Sequence, residues 1–198
     1  MKLYITAPSP FARKCRIVAR EKALMGRIEE RLVDPYANAP ELLETNPIVQ
    51  VPTLVAQDGR PITDSPLICD YLDRLGDGPR LLPADGEAWL KVKRLETLGI
   101  AALEMGVKLV LELRRPEHER SPGWISRWRT NLNRALDAIE DARPDPETID
   151  MGTITAAVAA TWMGFRHPDI DWADGRPVLA DLQAAMEARE SFIETKPQ

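Results

Sequence analysis

The sequence predicts an α/β domain followed by an all-helical domain, and three observations carry this prediction. Strand-like and helix-like segments alternate over about the first 76 residues in the order β-α-β-α-β-β-α. Residues 76–86 are rich in Gly and Pro and show no periodicity, which is typical of a connection between domains. Beyond them no segment has a strand pattern. We therefore predict a first domain at residues 1–78, a linker at 79–86 and an all-helical domain at 87–198.

The first domain alternates short strands with helices. The opening strand covers residues 2–6, and Ser9-Pro10 then starts a helix whose apolar residues recur at helical spacing. Asp58-Gly59 is a favoured turn pair and predicts a hairpin between the last two strands. The remaining elements are a strand at 28–33, a helical turn at 41–44, strands at 53–56 and 61–63, and a helix at 66–75.

The second domain contains four helical patterns and no strand. They cover residues 87–113, 122–142, 151–165 and 178–188. The third pattern carries no charge on any face, so the other helices must surround it. We therefore predict that it forms the centre of the helical domain.

Composition excludes several classes of protein. The chain has 198 residues, with 26 Lys and Arg against 31 Asp and Glu, so it lacks the positive charge that nucleic-acid binding requires. Its longest uncharged stretch, residues 151–165, falls short of the ~20 residues that span a membrane. The first residues do not fit a signal peptide, because prolines and then cations interrupt the apolar run. These features indicate a cytoplasmic protein with neither nucleic acid nor membrane as its partner.

Cysteine and histidine are too sparse for a disulfide framework or a metal site. Cys15 and Cys69 lie 54 positions apart, and His118 and His167 are equally isolated. Both cysteines fall on apolar helix faces, so we expect buried thiols that act as small hydrophobic residues and do not form a redox pair. We expect no metal.

Three short motifs are candidates for binding chemistry. Ser9-Pro10 and Asp64-Ser65 each stand at the start of a predicted helix. There a hydroxyl can simply cap the helix, or it can join the free N–H groups in binding an anion. Val51-Pro52 stands at the entry of a strand, either with an ordinary trans bond or with a cis bond that exposes the Val51 main chain to an extended peptide.

Taken together, these motifs resemble the glutathione S-transferase family, most closely its bacterial serine-type members. The resemblance rests on Ser-Pro-Phe-Ala-Arg-Lys after the first strand, Asn46-Pro47 and Val51-Pro52 before the third, and Asp64-Ser65 before a helix. The uncharged helix from Gly152 and the ending after Ala188 are similar to the family's sixth helix and C-terminal segment. The match covers the whole chain.

The resemblance implies a thioredoxin-like first domain that binds glutathione as co-substrate, and a homodimer. The peptide would lie along Val51 in front of a cis Pro52, its γ-glutamyl carboxylate on Ser65 and its amino group near Asp64. Ser9 would face the thiol. Cys at the position of Ser9 marks the family's redox branch, so reductase chemistry is disfavoured. Where the family commonly has Gly-Lys before Val-Pro, this chain has Val49-Gln50, and where it usually has Glu before the serine, this chain has Asp64.

We therefore predict a glutathione S-transferase, in which the glutathione thiolate is stabilised by Ser9 and attacks an apolar electrophile, a detoxification reaction. Phe11 from the first strand–helix loop, with Met105 and Leu109 from the long helix, is predicted to receive the apolar small molecule. One alternative is a glutathione-binding or scaffold module of the same fold with little or no turnover. A further alternative is a glutathione-dependent lyase or isomerase.

Overall fold

A computed structural model describes all residues, Met1–Gln198, and divides the chain into two compact units. Unit 1 comprises Met1–Leu82 together with Glu190–Gln198, and unit 2 comprises Pro83–Arg189. The predicted α/β domain and helical domain are both observed. The boundary at Leu82 falls inside the predicted linker, but the sequence did not indicate that the last nine residues return to unit 1.

Unit 1 is built on a four-stranded mixed sheet with strand order β2-β1-β3-β4. β1 runs parallel to β2, whereas β3 is antiparallel to both β1 and β4. The helices α1 and α3 pack against each other, and apolar residues of the strands and helices form a fully buried core. The elements are β1 (Lys2–Ile5), α1 (Pro10–Glu21), β2 (Glu29–Leu32), α2 (Pro40–Thr45), β3 (Thr53–Val55), β4 (Pro61–Thr63) and α3 (Ser65–Leu75).

A buried ion pair holds the end of unit 1. Lys22 follows α1, and its Nζ lies 3.2 Å from Asp73 Oδ1 of α3, with both side chains inaccessible to solvent. Lys22 Nζ also donates to the carbonyl oxygens of Gly78 and Pro79, at 2.6 and 2.7 Å. Asp73 accepts a hydrogen bond from the Leu81 N–H at 2.9 Å. The segment predicted as a linker is therefore pinned to α1 and α3 by a charge cluster.

The short helix α8 (Glu190–Ile193) packs on α1. Phe192 is fully buried, and its carbonyl oxygen accepts a hydrogen bond from Arg13 Nη2 at 3.2 Å. The Arg13 guanidinium also lies over the Phe192 ring, 5.3 Å from its centre. Arg20 adds an ion pair with Glu194 at 2.8 Å. These contacts explain why residues 190–198 belong to unit 1.

Unit 2 is all helical, and its centre is the uncharged helix, as predicted. The helices are α4 (Gly86–Leu113), α5 (Pro122–Asp141), α6 (Met151–Arg166) and α7 (Pro177–Glu187). All but four of the α6 residues are buried, and α6 packs against α4 and α7. A Cβ on Gly99 of α4 would lie 2.8 Å from Thr155 Cγ2, so only glycine allows this approach of α4 to α6. Asp150 and Thr153 form a reciprocal capping box at the start of α6. None of the helices is long and apolar enough to cross a membrane.

Candidate functional site

The sheet register brings the three predicted motifs to one end of the sheet. Tyr4 pairs with Thr53, and Thr53 pairs with Thr63. Because β3 is antiparallel to both neighbours, the end of β1, the start of β3 and the end of β4 meet there. Ser9, Val51 and Ser65 are four residues after β1, two before β3 and two after β4. Ser9, Val51 and Ser65 therefore lie together at one end of the sheet.

Ser9 is the N-cap of α1. Its backbone is extended, and its Oγ accepts a hydrogen bond from the Ala12 N–H at 3.2 Å. Pro10 occupies the first helical position, where a missing N–H costs nothing. A serine hydroxyl has one proton and two lone pairs, so a capping Oγ can still donate a hydrogen bond. The capping role is therefore observed, and it leaves the Ser9 O–H available as a donor.

Val51 presents an unpaired main chain. The Val51–Pro52 bond is cis, which confirms the geometry that the resemblance implied. Neither the N–H nor the C=O of Val51 has a hydrogen-bond partner in the structure, and the residue is only half-buried. Pro52 is buried behind it. Val51 therefore offers one donor and one acceptor to an extended ligand.

Ser65 is the first residue of α3, one position earlier than the sequence predicted. Asp64 takes the N-cap position with φ of 71° and makes no side-chain capping bond. Positive φ is unfavourable for a non-glycine residue, and such strain concentrates at functional sites. Ser65 is 1% exposed, and its buried Oγ has no hydrogen-bond partner. A buried hydroxyl without a partner at a helix N-terminus is suited to receive an anion.

Asn46 lies in the loop between α2 and β3 and was not predicted as a site residue from the sequence. Its buried amide Nδ2 donates to the carbonyl oxygen of Gln50 at 3.0 Å and to Thr53 Oγ1 at 2.9 Å. Gln50 itself points an exposed side chain into solvent. The available signal was Asn46-Pro47, which contributed to the resemblance but was not given a role.

The residues predicted to receive the second substrate differ in exposure. Phe11 in the first turn of α1 is half-buried, and so is Met105 of α4. Leu109 is fully buried and offers no surface to a ligand. Helical spacing indicates which residues share a face, but it does not show which of them a neighbouring helix covers.

Cys15 and Cys69 are neighbours in the fold, although they are 54 positions apart in sequence. Their sulfur atoms lie 3.6 Å apart between α1 and α3, and both residues are free thiols. Burial, and then the hydrogen bond with Cys69, raises the pKa of the Cys15 thiol well above its ordinary value. The Cys15 thiol therefore remains protonated at neutral pH. The prediction of buried thiols is confirmed, but the expected isolation of the two cysteines is wrong.

No group of three or more His, Cys, Asp or Glu side chains is arranged to hold a metal ion. A groove of about 560 Å³ lies in unit 2, at the end of α4 and the start of α5. Leu113, Ile125 and Asn133 are among its lining residues, and none of the predicted site residues lines it.

Comparison with known proteins identifies the family. Residues 3–80 match the family model described as "Glutathione S-transferase, N-terminal domain", and residues 122–182 match "Glutathione S-transferase, C-terminal domain". The chain is 33% identical to the uncharacterized GST-like protein YibF of Escherichia coli, covering 100% of this chain and 98% of the relative.

Two solved structures are similar over nearly their whole length. A glutathione transferase family member from Pseudomonas fluorescens with bound glutathione superposes with a TM-score of 0.95 at 29% identity, covering 100% of this chain and 98% of that one. A glutathione S-transferase from Methylobacterium radiotolerans in complex with glutathione sulfonate gives 0.91 at 30% identity, covering 99% and 94%. The chain therefore belongs to the glutathione S-transferase family.

Proposed function

We propose that the protein is a glutathione transferase that binds glutathione at the loop edge of the sheet and transfers its thiolate to an apolar electrophile. The observation that carries this proposal is the buried, unpartnered Ser65 Oγ at the start of α3, at the same edge as the unpaired main chain of Val51. Glutathione bound to the relative from Pseudomonas, and glutathione sulfonate bound to the relative from Methylobacterium, support the choice of ligand.

The γ-glutamyl group and the cysteinyl main chain of glutathione each have a counterpart at this end of the sheet. The γ-glutamyl carboxylate accepts from Ser65 Oγ and from the free N–H groups of α3, whose dipole also favours an anion. The exposed Asp64 carboxylate faces the ammonium group. The cysteinyl N–H and C=O pair with the C=O and N–H of Val51, as an added strand would. This arrangement delivers the thiol toward the start of α1.

Ser9 stabilises the thiolate. A free thiol with a pKa of about 8.5 is mostly protonated at neutral pH, and lowering its pKa by two units requires about 2.7 kcal/mol. A hydrogen bond from a hydroxyl to an anion contributes about 1.5–3 kcal/mol, and the N-terminus of α1 adds about 0.3–1 kcal/mol. The Ser9 hydroxyl and the helix end are therefore sufficient together.

The reaction is nucleophilic attack by this thiolate. Sulfur forms a bond to an electrophilic carbon, the leaving group or the π-electron pair takes the displaced electrons, and the protein contributes proximity and thiol activation. Phe11, half-buried in the first turn of α1, is proposed as an apolar contact for the electrophile. We further propose a cytoplasmic homodimer that acts in detoxification.

The decisive experiment is a pH titration of the thiol of bound glutathione, followed by the ultraviolet difference absorbance of the thiolate. The wild-type protein should lower the thiol pKa by about two units, and Ser9→Ala should return it most of the way. Ser121→Ala is the matched control, because Ser121 also caps a helix but lies in unit 2. A bound thiol that titrates as in water would contradict the transferase mechanism.

A second candidate function is a glutathione-binding module without useful turnover. The observation that favours it is the hydrogen bond from the Ala12 N–H to Ser9 Oγ, which gives Ser9 a structural role without any chemistry. Under this alternative glutathione binds, its thiol pKa is unchanged, and Ser9→Ala lowers only the stability of the protein. The same titration therefore separates the two functions.

A further inference from the structure

We propose that Asn46 and Thr53 are positioning residues that aim the Val51 N–H at the bound peptide. This inference rests on the proposed function, because it concerns how the glutathione site is held. The two side chains belong to different elements, since Asn46 directly follows α2 and Thr53 opens β3. Both are buried.

The two side chains converge on one carbonyl oxygen. Asn46 Nδ2 and Thr53 Oγ1 donate to the carbonyl oxygen of Gln50, at 3.0 and 2.8 Å. Asn46 Nδ2 also donates to Thr53 Oγ1 at 2.9 Å, which closes a three-membered hydrogen-bonded ring. Both lone pairs of the Gln50 carbonyl oxygen are thereby directed at the protein interior.

That carbonyl belongs to the same peptide unit as the Val51 N–H. The bond between Gln50 and Val51 is trans and therefore planar, so its C=O and N–H point in opposite directions. Holding the oxygen inward against Asn46 and Thr53 consequently turns the N–H of Val51 away from the interior. The ring thus orients a donor that has no partner within the protein.

The loop needs such a constraint because its conformation is unfavourable. Val49 has φ of 50°, and a β-branched residue in this left-handed region is a rare outlier. Asn46 holds the turn from both sides: its carbonyl oxygen accepts from the Val49 N–H at 2.9 Å, and its Oδ1 accepts from the Ile48 N–H at 3.1 Å. Without Asn46 the strained turn would relax and carry the Gln50–Val51 peptide with it.

The first test uses the wild-type protein and measures amide hydrogen exchange by NMR, with and without glutathione. Glutathione should slow exchange of the Val51 amide at least 10-fold. The Ile48 and Val49 amides are already bonded to Asn46, so their exchange should change little. Glutathione that binds and leaves the Val51 amide unprotected overturns the inference.

The second test removes one member of the ring. Thr53→Val should weaken glutathione binding in calorimetry by about 3- to 10-fold, the equivalent of about one hydrogen bond. It should also speed exchange of the Val51 amide at saturating glutathione, while the thiol pKa of the bound peptide stays as in wild type. Thr45→Val is the control, because Thr45 Oγ1 donates only to carbonyls of its own helix α2.

The outcomes separate the two proposals. If Thr53→Val binds glutathione as tightly as wild type and protects Val51 equally, the positioning role is wrong while the glutathione site stands. If the wild-type protein does not bind glutathione, the proposed function fails and this inference with it. If Thr53→Val does not fold, the exchange measurement on the wild-type protein decides.

Discussion

Replacing Ser65 by alanine should stabilise the folded protein and weaken its binding of glutathione. In the structure Ser65 Oγ is buried without a partner, so the folded state carries the desolvation cost of an unmet hydroxyl, about 1–3 kcal/mol. Alanine removes that cost, but it leaves a small cavity whose own destabilising effect offsets part of the gain. We expect the free energy of unfolding to rise by about 1 kcal/mol.

Binding should change in the opposite direction. A hydroxyl that donates to a carboxylate contributes about 1.5–3 kcal/mol, so Ser65→Ala should weaken glutathione binding by about 10- to 150-fold. The paired measurements are urea denaturation followed by far-ultraviolet circular dichroism, and isothermal titration calorimetry. Tryptophan fluorescence would not report directly on unit 1, which contains Ser65, because all five tryptophans lie in unit 2.

Ser9→Ala is the matched comparison, because Ser9 caps α1 with a hydrogen bond at 3.2 Å. Losing this cap should lower the free energy of unfolding by about 1 kcal/mol. The two serines should therefore shift stability in opposite directions. A Ser65→Ala protein that is destabilised as much as Ser9→Ala, or that binds glutathione as wild type does, would refute the reasoning.

Three further changes test the charges of the molecule. Asp73→Asn leaves the Lys22 ammonium buried without its counter-ion and should lower the free energy of unfolding by about 3–5 kcal/mol. Arg74→Met is the control, because it breaks an exposed ion pair on the same helix and should lower the free energy of unfolding by under about 1 kcal/mol. Urea denaturation measures both. Burial lowers the pKa of His167, although its hydrogen bond to the Gly106 carbonyl opposes this, so the unfolded state takes up the proton first. The stability that neutral His167 contributes should therefore be fully present above pH ~6.5 and be lost as the pH falls below it. His167→Gln should make the urea midpoint less dependent on pH in this range. Gln50→Lys adds a cation beside the peptide site and should tighten binding of glutathione, an anion, about 2- to 5-fold in calorimetry.

Periodicity and turn chemistry predicted the order of every strand and long helix. Ser9-Pro10 and Ser121-Pro122 mark helix starts that the structure confirms. The third such pair, Ser65-Pro66, differs because α3 begins one residue earlier and Asp64 takes the cap position. A local signal places a helix start within a residue or two, and here that one residue decides whether a hydroxyl caps the helix or is left without a partner.

Contacts between distant parts of the sequence were beyond prediction. The sequence of residues 1–82 does not predict that Phe192 is buried on α1, or that Cys15 and Cys69 are in contact. The ring around the Gln50 carbonyl is equally invisible, because it depends on Asn46 and Thr53 meeting at the start of β3. Helical and strand periods report which face is apolar, but partners across the fold are chosen by packing.

The return of residues 190–198 to unit 1 has a consequence for the order in which the protein forms during synthesis. These residues leave the ribosome after the whole of unit 2. Until they do, the face of α1 that Phe192 covers stays open to solvent, while the helices of unit 2 are already complete. The half of the molecule that is translated first is therefore the half that is finished last.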